Sequence, residues 1–176
     1  MQKFRQADEG FKYVFEASKV DEQVSRIKEW AAVNQTVVPM VRWGVQADKA
    51  DWGLPEGMPE LTKLEEDIPG GLAPTTILME WRRVKMFTDP TANVKNLPKW
   101  KQEQTWLQVL EGVHPKEAEI LTAVKDGTLL NLYPKLEKLM KPLGIDNYVK
   151  PKKTRKKKEE KVDTSNVDFT KASEEV

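Results

Sequence analysis

The chain offers few residue types that support catalysis, and those present lack the spacing that catalytic sites need. Among its 176 residues there is one histidine, His114, and no cysteine, which excludes disulfides, thiol catalysis and the common zinc sites. Glu111 and His114 form a single Glu-x-x-His pair, whereas a di-iron bundle uses two such pairs and two further glutamates. Pro115 follows at a favoured first helical position, so His114 is predicted to cap that helix. The sequence therefore predicts no catalytic residue and no enzyme.

The acidic residues of the central segment are the other candidates for a metal site. Asp48 and Asp51 loosely match a calcium loop, but its third and fifth positions fall on Ala50 and Trp52, which offer no carboxylate. The acidic run at residues 65–67 would suit a magnesium ion, although a solvated acidic turn is the favoured interpretation. The chain also lacks the Gly-rich phosphate-binding and dinucleotide-binding motifs. We therefore predict no metal and no cofactor.

A dense run of cations is the strongest functional signal. Residues 150–176 hold nine of the 29 basic residues and six of the 28 acidic residues. Residues 1–149 therefore hold 20 basic and 22 acidic residues. Such a run neutralises several phosphates by counterion release without reading sequence. An acidic protein, a membrane surface and a partnerless solubilising tail are the alternatives. We predict contact with DNA or RNA through the seven cations of residues 150–158: Lys150, Lys152, Lys153, Arg155, Lys156, Lys157 and Lys158.

A second basic site lies in a predicted helix that begins near residue 76. Arg82 and Arg83 stand between Trp81 and Phe87, so the cations could contact phosphate while a ring stacks on a base. The alternative is an amphipathic helix whose cations extend away from an apolar stripe, and this interpretation is favoured. Arg82 and Arg83 are kept as candidate nucleic-acid ligands.

A long Gly- and Pro-rich stretch, residues 48–74, is predicted to wrap over a surface. Its helix breakers exclude a long regular element, and loops of this length are usually functional, disordered or wrapped. Its apolar side chains favour wrapping, because a solvated linker does not need them. An apolar residue in the polar tail can also dock into a pocket. The predicted partner-binding residues are Trp52, Leu54, Met58 and Phe169.

The elements that must position these residues are helices. Apolar residues recur at helical spacing, and no segment alternates as a strand does. We predict a mostly α, small irregular domain of about seven helices over residues 1–149, followed by a disordered lysine-rich tail over 150–176. The predicted helices begin near residues 8, 21, 36, 76, 99, 115 and 131, the last one ending near 141.

One run of residues resembles a known group of proteins. The run LQVLEGVHPKEAEIL at 107–121, followed by Lys125 and Asp126, resembles a family of short proteins encoded by T-even-like tailed phages, notably cyanophages. Similar pieces are Phe-Glu-Ala at 15–17, Leu-Pro-Glu-Gly at 54–57 and Trp-Arg-Arg at 81–83. The resemblance spans residues 11–145 and leaves out the basic tail. It implies a phage origin and the host cell cytoplasm, and it carries no activity or catalytic residue.

Together these features predict a non-enzymatic phage accessory protein. Its helical body would bind a phage or host protein, and its basic tail would bind nucleic acid, in replication, transcription or packaging. The alternative is a virion structural or assembly protein whose loop wraps a neighbouring subunit. No apolar run approaches the ~20 residues of a membrane helix, and the first nine residues lack the apolar core of a signal peptide. We therefore expect no membrane partner, and no feature indicates an oligomeric state.

Overall fold

The computed structural model describes residues 4–48, 50–61 and 72–150, and this part of the chain is all-α. Within those ranges the backbone forms helices and no strand, which confirms the predicted fold class. Short 3₁₀ segments occupy Asn93–Asn96, Pro134–Leu139 and Lys141–Leu143. The α-helices are α1 (Ala7–Glu16), α2 (Val20–Val33), α3 (Val37–Gly44), α4 (Ile77–Met86), α5 (Lys99–Gly112), α6 (Pro115–Asp126) and α7 (Leu129–Leu132).

Helix α6 lies at the centre of the fold. It contacts α1, α3, α5 and α7, and eight of its twelve residues are buried. Burial on several sides, rather than along one stripe, is expected for a helix surrounded by others. Its ends are closed locally: His114 Nδ1 accepts a hydrogen bond from the Lys116 N–H at 3.2 Å, and Gly127 is left-handed with φ 67°. The predicted cap at His114 is thus confirmed.

The prediction for the last helix is wrong. Helix α7 ends at Leu132, and the chain continues from Pro134 as a 3₁₀ helix instead of an α-helix running to residue 141. Proline has no N–H to donate and disfavours the helical conformation in the residue before it. Tyr133 accordingly adopts φ −126° and ψ 77°. Its ring stacks on Phe11 of α1, with 4.4 Å between the centroids.

A row of contacting aromatic rings forms part of the hydrophobic core. We call Trp43, Trp52, Trp81, Trp106 and Phe87 the indole cluster. Trp81 stacks on Trp43 at 5.2 Å, Trp43 meets Trp52 edge-on at 5.5 Å, and the contacts continue to Trp106 and Phe87 at 5.8 and 5.4 Å. These offset and edge-on geometries are the favourable ones for aromatic pairs. The cluster connects α3, α4, α5 and the loop that follows α3.

A buried carboxylate joins the N-terminal ends of three helices. Glu117, in the first turn of α6, is fully buried. It accepts hydrogen bonds from the N–H groups of Ala7 at 2.8 Å and Ile77 at 3.2 Å, which open α1 and α4. These N–H groups have no partner within their own helices. Burial raises the pKa of Glu117 to about 7, against the two hydrogen bonds that lower it, and the charges of Asp8 and Glu9 raise it further.

In the described part of the chain, no helix combines the length and the apolar character that crossing a membrane requires.

Candidate functional site

The base of the predicted basic tail is the only part of it that the structure describes. The Val149 N–H donates to the Val45 carbonyl at 3.0 Å, which fixes this point of the chain beside the end of α3. The Lys150 side chain is exposed, with its Nζ 3.9 Å from Glu137 Oε1. An exposed pair at that distance contributes little to stability. The other predicted cations lie outside the described residues: Lys152, Lys153, Arg155, Lys156, Lys157 and Lys158.

Arg82 and Arg83 both lie on the exposed side of α4. Arg83 Nη1 is 3.1 Å from Glu80 Oε2 of the same helix. The neighbouring rings of Trp81 and Phe87 are 5% and 1% exposed and belong to the indole cluster. They cannot stack on a base in this fold, so the favoured interpretation of an amphipathic helix is the one that the burial pattern supports.

Trp100 is an exposed aromatic residue that the sequence interpretation missed. It lies in the first turn of α5 between two exposed lysines, Lys99 and Lys101, and is itself 60% exposed. The Lys101 Nζ is 5.4 Å from the centroid of its ring, a cation–π geometry. Its position six residues before the buried Trp106 was a usable signal. At about 100° per residue, that spacing puts Trp100 roughly 120° away from the core-facing stripe.

The segment that carries Trp100 is basic within an acidic body. Residues 80–102 hold six basic and two acidic side chains, whereas residues 1–149 as a whole hold 20 basic and 22 acidic side chains. The Thr75 N–H, just before α4, donates to the Gly112 carbonyl at the end of α5, and Phe87, just after α4, contacts Trp106 within α5. We call the exposed cations of α4 and of the first turn of α5, together with Trp100, the α4–α5 basic surface: Arg82, Arg83, Lys85, Lys99, Trp100 and Lys101.

The described part of the central loop, residues 50–61, lies against the body of its own chain. Trp52 is 7% exposed and sits between Trp43 and Trp106 in the indole cluster, which corrects the expectation that it binds a partner. A buried lysine, Lys125, donates to the Pro55 carbonyl at 2.7 Å, and Asp126 Oδ2 accepts from the Gly57 N–H at 2.9 Å. These bonds hold the loop against α6, and the chain's own core therefore covers the indole.

Two of the predicted partner-binding residues keep accessible surface. Leu54 is half-buried, and Met58 is 37% exposed. Met58 lies on a shallow groove of about 380 Å³ between the loop and helices α6 and α7. Phe169 lies outside the described residues. The groove is lined by Met58, Glu119, Thr122, Ala123, Thr128, Asn131 and Leu132.

The acidic residues near the loop have structural partners. Arg42 binds Asp48 through two hydrogen bonds of 2.8 and 2.7 Å, and its side chain lowers the pKa of Asp48. Asp51 accepts the Gly53 N–H at 3.0 Å within a tight turn. Among the residues that the structure describes, no group of three or more His, Cys, Asp or Glu could hold a metal ion. The acidic run at 65–67 lies outside these residues.

No protein-family model, no curated protein and no solved structure matches this chain.

Proposed function

We propose that the protein is a non-enzymatic phage accessory protein that binds nucleic acid through its basic tail and a protein partner through its helical body. The resemblance of residues 11–145 to a phage family supports the phage setting and the host cell cytoplasm as its location. The process would be replication, transcription or packaging, in each of which an accessory protein meets DNA or RNA.

One observation carries the nucleic-acid part of this proposal: seven of the nine residues 150–158 are Lys or Arg. That density matches the closely spaced phosphates of a nucleic-acid strand. The remaining body is slightly acidic, with 20 basic against 22 acidic residues. Attraction to a polyanion is therefore concentrated in the tail, and the exposed cations of the α4–α5 basic surface add to it.

The test is to remove the tail and measure binding at several salt concentrations. A chain that ends at Val149 is compared with the full chain by fluorescence anisotropy of labelled DNA and RNA. The logarithm of the affinity falls linearly with the logarithm of the salt concentration. If all seven cations pair with phosphates of a single strand, this slope should be steeper by about 5 for the full chain than for the truncated chain. Equal affinities and equal slopes for the two chains would reject the tail as the nucleic-acid ligand.

The protein-partner part is supported by Met58, which is exposed on the groove beside α6 and α7. Its partner would be a protein that inserts an apolar side chain. A pull-down from infected cells, with and without nuclease, separates a direct protein contact from one bridged by DNA or RNA. A Met58→Glu variant should lose the nuclease-resistant partner, and its unchanged recovery would exclude this groove.

The alternative is a virion structural or assembly protein whose loop wraps a neighbouring subunit. In this alternative Trp52 cannot contact the neighbouring subunit, because its indole lies in the chain's own core. Met58 remains available for that contact. Mass spectrometry of purified particles tests it, because absence from the virion eliminates a role in the mature particle.

A further inference from the structure

We propose that Trp100 is a stacking platform for an unpaired base, so that the α4–α5 basic surface holds single-stranded nucleic acid. This inference rests on the proposed function for the class of ligand. It concerns another part of the chain, however, and it adds a preference for single strands that the tail's charge does not supply.

The exposure of Trp100 is the first observation behind this inference. All six tryptophans of the chain lie within the described residues. Four are buried, Trp43 is half-buried, and Trp100 is 60% exposed. Tryptophan carries the largest apolar area of any side chain, and the core of this fold does not use that of Trp100. An indole face open to water can stack on any base, since every base has a π-face.

The cations around the ring are the second observation. Lys99 and Lys101 lie in the first turn of α5, which contains no acidic residue. Cations at this end oppose the helix dipole, so helix stability does not account for them. The Lys101 Nζ lies over one face of the ring, 5.4 Å from its centroid. A base would therefore stack on the other face or take the place of the ammonium, and either lysine can then meet the phosphate of that nucleotide.

The pairing of a single open ring with several cations favours single strands over other polyanions. In a duplex the base faces are already stacked on one another, whereas an unpaired base can turn onto an aromatic side chain. A membrane surface also attracts Trp and Lys, but interfacial binding scales with buried apolar area. Here five exposed cations of α4 and the first turn of α5 outnumber the two exposed methionines of α4, Met79 and Met86. These cations are Arg82, Arg83, Lys85, Lys99 and Lys101.

The experiment compares full-length variants on three probes by fluorescence anisotropy and sedimentation. The probes are an oligothymidylate, a duplex of the same length, and vesicles rich in anionic lipid. Trp100→Ala should lower affinity for the single strand by about tenfold, the effect of one lost stacked base, and leave duplex affinity within about twofold. Trp100→Phe, which keeps an aromatic face, should retain most of the affinity. Val20→Ala, at a residue 38% exposed on α2 and outside this surface, is the control and should change nothing.

Each other outcome rejects the inference. Unchanged single-strand affinity in Trp100→Ala overturns it, and so does an equal loss on single strand and duplex. Loss of vesicle binding without loss of oligonucleotide binding identifies a membrane contact instead. Thermal unfolding monitored by circular dichroism verifies that each variant is folded.

The chain that ends at Val149 separates this inference from the proposed function. If the truncated chain still binds the single strand and needs Trp100 to do so, Trp100 is the stacking platform and the tail is rejected as the nucleic-acid ligand. If truncation abolishes binding and Trp100→Ala has no effect, the tail's role stands and the platform is rejected.

Discussion

At the scale of a single residue, two effects act in opposite directions on the carboxylate of Glu117. Burial disfavours its ionised form, whereas hydrogen bonds from the backbone stabilise that form. Two N–H groups donate to its carboxylate, yet burial raises its pKa from 4.5 to about 7. Because the pKa in the folded protein exceeds that in the unfolded chain, protonation stabilises the fold. This stabilisation is complete below pH 4.5 and is lost as the pH rises through 7.

Replacing Glu117 with Gln should therefore remove one source of pH dependence. Relative to Glu117→Gln, the wild-type protein should lose up to about 3 kcal/mol of unfolding free energy as the pH rises from 4.5 to above 7. Urea unfolding of both proteins across that range measures the difference. The variant Glu103→Gln, at an exposed position on α5, is the control and should show no such change.

A constant difference between the wild-type protein and Glu117→Gln across this pH range would contradict the raised pKa. It would mean that the two N–H donors, each at the opening of a helix, keep the carboxylate ionised against burial.

At the scale of elements, the packing of α1 on α2 depends on a residue without a side chain. Gly10 of α1 lies directly against the indole of Trp30 in α2, and a Cβ at position 10 would overlap that ring. The same indole meets the Phe11 ring edge-on at 5.1 Å, so it cannot move aside without losing another contact. Glycine is accepted inside this helix because it lets the two helices approach closely.

Gly10→Ala should therefore destabilise the protein although alanine favours helices by about 1 kcal/mol. We expect a net loss of about 1–3 kcal/mol from overpacking. Thermal or urea unfolding measures it. In the double variant with Trp30→Phe, the smaller ring should relieve part of the overlap. The double-mutant cycle should then show a coupling of at least about 0.5 kcal/mol, and strict additivity would contradict this account.

At the scale of the whole molecule, the helical body is expected to fold without the tail. The Val149 N–H keeps its bond to Val45 in a chain that ends there. Within the described residues, truncation removes the exposed ion pair of Lys150 with Glu137, which stabilises the fold little. The truncated chain should match the full chain in unfolding free energy within about 0.5 kcal/mol. A decrease of several kcal/mol would show that residues beyond 150 pack against the body.

The helices could be predicted from the sequence because their signals are local. Apolar spacing, the proline at 115 and the glycine at 127 place α6 correctly, since each acts through its own backbone or its neighbours. The failure at 131–141 is also local. The apolar repeat there predicts one continuous helix, whereas Pro134, which has no N–H to donate, interrupts it.

What the sequence by itself determined was the class of the fold, most helix positions and the concentration of charge at residues 150–158. The tertiary structure alone decided the direction of two side chains. Trp52 turned into the core, and Glu117 reached the openings of two other helices. The physical reason is that burial depends on residues distant in sequence. Trp52 meets Trp106, and Glu117 meets Ala7, only after the helices have packed.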